Sequence, residues 1–186
     1  MADGRILRIY RDGRKHERLL ERQLPTGAQA NLETLAEMQR IVKADSREPD
    51  LRNFVFREII GLDKKTLPEQ IEAAFTFCRD QIIYEPEKAG YETIADLWSC
   101  CYALDPEHAS GDCAIKCVAL ATCLSYLNLQ SIDFVAIQQI PNADFYNHVY
   151  VAATTGGRQI KLDPTPPEFR IGDALPNIRR LHYKIL

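Results

Sequence analysis

The stretch from Gly111 to Asn128 constrains the chain most, because it reads as a helix with apolar surface on nearly every side. Gly111 permits a sharp turn into it, and Asp112 is a strong N-cap type. Ile115, Val118, Leu120, Ala121, Leu124 and Leu127 recur at helical spacing, and Asn128 can end the helix in a left-handed conformation. Such a helix has to be covered on most sides, so the remaining chain must supply layers around it. At 186 residues the chain is long enough for one domain with that kind of core. Cys113 falls in the first turn. Unpaired N–H groups and the positive end of the macrodipole favour a thiolate there, and the thiolate is the nucleophilic form. The plainer reading is a small core hydrophobe, as for Cys117 and Cys123.

Before this helix the pattern is mostly helical. Residues 5–10 read as a strand, Asp12-Gly13 as a hairpin signal and 16–23 as the return strand. Residues 25–30 read as a linker, which sets off a hairpin piece, 1–30, from a domain over 31–186. Asn31 is the expected N-cap of a helix over 32–44, followed by a helix over 48–60 closed by Gly61. Thr66-Leu67-Pro68-Glu69 is a capping box opening a helix over 67–82. Ile82-Ile83-Tyr84 runs into Pro86, where the chain leaves the helix. Residues 93–102, with Trp98, read as one short helix. After the Cys113 helix the period changes, and 132–140, 145–153, 158–163 and 181–186 read as strands. Helices first and strands afterwards indicate an α+β fold: a helical N-terminal layer, the buried Cys113 helix and an antiparallel sheet.

The strand pair after the helix supplies partners for the thiol. His148, Tyr150 and Ala152 share one face of their strand, and Gln159, Lys161 and Asp163 share a face of the next. A turn centred between Thr155 and Gly156 makes His148 and Asp163 directly opposed, with Cβ atoms about 5 Å apart. A turn centred on Gly156-Gly157 makes them diagonal neighbours on the same face. An odd-length loop without a bulge separates them to opposite faces. Paired, the carboxylate would orient the imidazole while the other ring nitrogen faces the sulfur.

Gly-Asp-Cys at a helix start, then Asn147-His148-Val149-Tyr150-Val151, then Lys161-Leu162-Asp163-Pro164-Thr165, resembles the transglutaminase-like domain of the papain-like superfamily. The resemblance runs from about Leu67 to Pro167, and the whole layout also looks like stand-alone members encoded in phages and prophages. It implies Cys113 as nucleophile, His148 as general base and acid, and Asp163 as the orienting carboxylate. The implied chemistry is acyl transfer or hydrolysis at a peptide or isopeptide amide through a thioester, on a protein or peptide substrate and with no cofactor. A tryptophan upstream of the cysteine donates to the oxyanion in eukaryotic transglutaminases, which makes Trp98 an oxyanion-hole candidate; core packing is the competing role. Many relatives carry an acidic pair directly after the cysteine, where this chain has Ala114-Ile115. The rival to an enzyme is a non-catalytic binding module with the same fold, for example in phage particle assembly.

Other constellations are weaker. Cys100, Cys101, His108, Cys113 and Cys117 lack the paired knuckle spacing of a zinc site, so no metal is expected. His108 as a local base lacks an oriented carboxylate, with Asp105 and Glu107 merely near it in sequence. Lys116 reads as a surface lysine, and His16 and His182 as solvated or structural. Segments 85–92, 103–110 and 164–177 are the expected cleft walls. A net charge of −3 gives no electrostatic case for nucleic acid. No apolar run is long enough to span a membrane, and the start lacks a signal-peptide pattern. Six cysteines without a disulfide pattern point to a reducing cytoplasm, in a bacterial host if the chain is phage-encoded.

Overall fold

In the computed structural model, which describes residues 6–11, 18–87, 91–102 and 110–186, the chain starts with β1 (Ile6–Arg11) and β2 (Arg18–Gln23). Next come α1 (Ala28–Asp45), α2 (Pro49–Phe54), a π-helical segment Val55–Ile60 and α3 (Leu67–Asp80). β3 (Ile83–Tyr84), β4 (Tyr91–Ala95), α4 (Leu97–Tyr102) and β5 (Ser110–Gly111) lead into α5 (Cys113–Ser125). The chain ends with β6 (Ser131–Gln138), β7 (His148–Thr155), β8 (Arg158–Leu162) and β9 (Arg179–Lys184). The architecture is α+β, with α5 at its centre.

Every residue of α5 from Ala114 to Leu124 is buried. Helices α1, α3 and α4 and strands β4 and β7 pack against it. The main sheet is antiparallel, in the order β8-β7-β6-β9. Val149, Val151 and Ala153 of β7 join the α5 core. Tyr150 and Ala152 join Val135 and Ile137 in a smaller cluster, against which Ala174 and Leu175 pack. The 164–177 segment, expected as a cleft wall, thus contributes Ala174 and Leu175 to that second cluster.

Two buried polar groups tie the helices together. Lys116 projects from α5, 1% exposed, and its ammonium donates to the Arg79 and Ile82 carbonyls at 3.0 and 2.9 Å. These carbonyls lie at the end of α3 and just beyond it, where a helix cannot satisfy its own acceptors. The reading of Lys116 as a surface lysine is therefore corrected. Asp45, at the end of α1, accepts from the Leu97 amide of α4 (3.4 Å) and the Thr122 hydroxyl of α5 (3.3 Å).

Gly111 is needed for a reason different from the expected sharp turn. A Cβ there would lie 2.5 Å from Cγ2 and 2.6 Å from Cβ of Ile115, so the first turn of α5 excludes any side chain. The capping box at Thr66 and Glu69 forms as read. Helix α1 starts earlier than expected, at Ala28. Gly27 is its N-cap, at φ +64°, where a Cβ would also meet Asp144 Oδ2 at 2.8 Å. Asn31 lies inside the first turns, and its side chain is used elsewhere. The 93–102 helix divides into β4 and α4, because Tyr91–Ala95 pairs in parallel with β1. Pairing with so distant a segment overrides local propensity. The sheet in the order β2-β1-β4 therefore includes the N-terminal hairpin; its Asp12-Gly13 turn lies outside the described residues.

Candidate active site

The site is built on the N-terminus of α5. Asp112 caps the helix, its Oδ1 accepting from the amides of Ala114 (3.0 Å) and Ile115 (3.1 Å). This fixes the first turn and sets half-buried Cys113 at the helix end. The Cys113 sulfur faces the backbone N–H of Val149, which favours the thiolate. Burial is the larger influence and pushes the thiol well above its usual range; the Asp112 and Glu92 carboxylates push it further. Together these influences favour the neutral thiol. One turn on, the Cys117 thiol donates to the Val149 carbonyl at 3.3 Å. Two thiols of α5 thus engage both backbone groups of the residue that follows His148.

His148 opens β7. Its Nε2 lies 2.8 Å from Oδ2 of Asp163, with His148 8% exposed and Asp163 fully buried. The β7–β8 register accounts for this contact. Val151 opposes Leu162 and Thr155 opposes Arg158, so Gly156 and Gly157 form the turn, both at positive φ. Continuing that register, Asp163 stands diagonal to His148 on one face, the second of the two arrangements read from sequence. Asp163 also accepts from the Thr165 amide through Oδ1 at 3.2 Å. Its oxygens are thus divided between the backbone beyond it and the imidazole.

Cys113 and His148 open onto one cleft of about 220 Å³. Asn31, Thr34, Leu35 and Met38 of α1 line one part of it, and Tyr146 and Asn147 flank His148. Tyr84, Glu87, Glu92 and Asp112 supply a polar wall. Oxygens of Glu87, Glu92 and Asp112 lie within 4.8 Å of one another, a spacing compatible with a cation. These carboxylates also serve the fold: Glu87 accepts from the Thr93 amide, and Asp112 caps α5. Desolvation and the neighbouring Glu92 push Asp112 up to about 7. Burial, Cys113 and Asp112 push the Tyr84 phenol up as well.

Cys113, His148 and Asp163 are thereby brought to one locality. Trp98 is not among the residues lining the cleft. It is 8% exposed and packs on Phe54, ring centroids 4.6 Å apart at 45°. That is the core-packing role, and the oxyanion-hole assignment gains no geometry from it. His182 is exposed on β9, and His16 and His108 lie outside the described residues. Segment 85–92 lines the cleft as expected, through Glu87 and Glu92, whereas from sequence Asn31 reads only as a helix cap. Among the described residues, the close set of metal-type ligands is Glu87, Glu92 and Asp112 rather than the cysteines.

No family model matches the chain, and no curated protein matches it. Two solved structures do. One is a "Putative Cysteine Protease" from Cytophaga hutchinsonii, at 14% identity and TM-score 0.47, over 70% of this chain and 42% of that one. The other is a "Putative Protease" from Parabacteroides distasonis, at 13% identity and TM-score 0.49, over 72% of this chain and 27% of that one. This chain spans less than half the length of either protein.

Proposed function

We propose that the protein is a cysteine-dependent hydrolase or acyltransferase of peptide or isopeptide bonds, with a papain-like arrangement of Cys113, His148 and Asp163. The observation that carries this reading is the 2.8 Å contact between His148 and buried Asp163 at the edge of the cleft that holds Cys113. Asp163 on Nε2 fixes the ring and leaves Nδ1 to take the sulfur's proton. Because burial and carboxylates hold the thiol neutral, proton transfer to His148 accompanies attack. The sulfur adds to the amide carbon, and the oxyanion takes a hydrogen bond from the Cys113 amide at the helix N-terminus. The C–N bond then breaks as His148 returns the proton to the leaving amine. Water, deprotonated by His148, attacks the thioester; the C–S bond breaks and the sulfur regains its proton. Of the two outcomes we favour hydrolysis, which needs no acceptor beyond water.

The test is labelling with an iodoacetamide-type probe, located by peptide mass spectrometry, because Cys101 is also partly exposed. Cys113 should label fastest at neutral pH, with the rate falling by about a hundredfold in His148→Ala, the low end of a general base's contribution. Labelling that ignores the His148 substitution, or that occurs only at Cys101, would point instead to a binding module.

A further inference from the structure

We propose that Asn31 is a positioning residue for His148, a reading that rests on the catalytic role just assigned to the Cys113–His148 pair. The side chain of Asn31 makes two reciprocal bonds to one backbone unit. Its Nδ2 donates to the Tyr146 carbonyl at 2.8 Å, and its Oδ1 accepts from the Tyr146 amide at 2.9 Å. This is what a neighbouring strand offers a residue in a sheet, here supplied by a carboxamide from a helix 115 residues away.

The clamp sits where β7 needs it. Pairing between β6 and β7 ends at Ile137 and His148, with one further bond from the Asn147 amide to the Ile137 carbonyl at 3.0 Å. Beyond that point the chain is the 139–147 connection, which includes Asn142 at φ +61°. On one side, Asn147 holds Gln139: its Oδ1 accepts from the Gln139 amide at 2.7 Å, and its Nδ2 donates to Gln139 Oε1 at 3.1 Å. On the other side stands Asn31. Gly27, four residues before it at φ +64°, brings the start of α1 against the Asp144 side chain, whose Oδ2 stands 2.8 Å from where a Cβ would lie.

Asn31 thus fixes the chain two residues before His148 to the same helix that lines the cleft with Thr34, Leu35 and Met38. Position matters at this level because displacement of a reacting group by about 1 Å can cost on the order of a hundredfold in rate. Both side-chain hydrogen bonds of Asn31 go to the Tyr146 backbone, so its effect passes through the placement of His148.

Two readouts test this on the full chain. The first is the pH profile of Cys113 alkylation by iodoacetamide in wild type, Asn31→Ala, Asn31→Asp and His148→Ala. Asn31→Ala should lose about tenfold at pH 7, moving toward the His148→Ala profile, while the rate at high pH, where the thiol ionises unaided, stays within about twofold. Asn31→Asp keeps the acceptor for the Tyr146 amide and should fall between the two. The second readout is the imidazole N–H resonance of His148 by NMR in a Cys113→Ala background, where no thiol chemistry is involved. It should broaden in Asn31→Ala and remain sharp in the parent. An unchanged His148 resonance in a folded Asn31→Ala protein overturns the proposal, whatever the chain's activity. Should Asn31→Ala fail to fold, Asn31→Asp is read in the same spectrum, and a wild-type signal there is equally decisive against it. An alkylation profile insensitive to His148→Ala refutes the catalytic reading instead, and the NMR result still judges the clamp.

Discussion

Asp112 serves two opposed demands, and replacement by Asn separates them. As N-cap it accepts from the Ala114 and Ile115 amides, which an Asn oxygen does about equally well. As a buried carboxyl near Glu92 it is pushed from 3.8 to about 7. The folded chain therefore holds this proton more tightly than the unfolded chain does. Stability from this group is complete below about pH 4, declines as pH rises, and is lost above about pH 7. The difference between 3.8 and about 7 sets a ceiling of about 4 kcal/mol. Asp112→Asn should match the wild type within about 1 kcal/mol at pH 4 and exceed it by about 2–4 kcal/mol at pH 8. Urea unfolding of both proteins at pH 4, 6 and 8 measures the gap. A gap constant across pH, or an Asn variant weaker at pH 8, refutes the reasoning.

Further outcomes follow from the same contacts. Glu92→Gln removes a charge that raises the Cys113 thiol, so its alkylation at pH 7 should be faster than in the wild type. Gly111→Ala should destabilise by about 1–3 kcal/mol through overpacking against Ile115, and Ile115→Ala in the same chain should recover part of the loss in a double-mutant cycle. Lys116→Met leaves the Arg79 and Ile82 carbonyls without their donor and should cost about 1–3 kcal/mol in chemical unfolding. Trp98→Phe should lower the unfolding midpoint yet leave the Cys113 alkylation profile unchanged, since the indole packs on Phe54; a changed profile would restore Trp98 to the site.

What could be read from the residues alone was local or periodic. The apolar density of 113–125, the Thr66 capping box and the β-branched and aromatic runs of β6 and β7 are each local signals. The proximity of His148 and Asp163 was also legible, because a short hairpin turns sequence spacing into a register with few solutions. Features that depend on distant partners were not legible. β4 forms because β1 lies beside it, and Tyr91–Ala95 carries no local mark of that pairing. Lys116 looks like any solvated lysine until the end of α3 is placed over it. Asn31 has a side chain suited to capping, but α1 starts before it at Ala28 and its carboxamide meets Tyr146 instead. Segment 85–92 does line the cleft as expected, through Glu87 and Glu92, but the closeness of these two carboxylates to Asp112 is encoded by no periodicity.

Lys116 has a consequence for how the molecule comes apart. The end of α3 is capped by an ammonium belonging to α5, so α3 cannot fray in the ordinary way without stranding that charge among apolar neighbours. Asp45 links the end of α1 to α4 and α5 in the same manner. Amide hydrogen exchange in the last turns of α1 and α3 should therefore proceed with the free energy of global opening, as in the centre of α5. The framework beneath the thiol would then behave as one cooperative unit, its helix ends opening only together with the centre of α5.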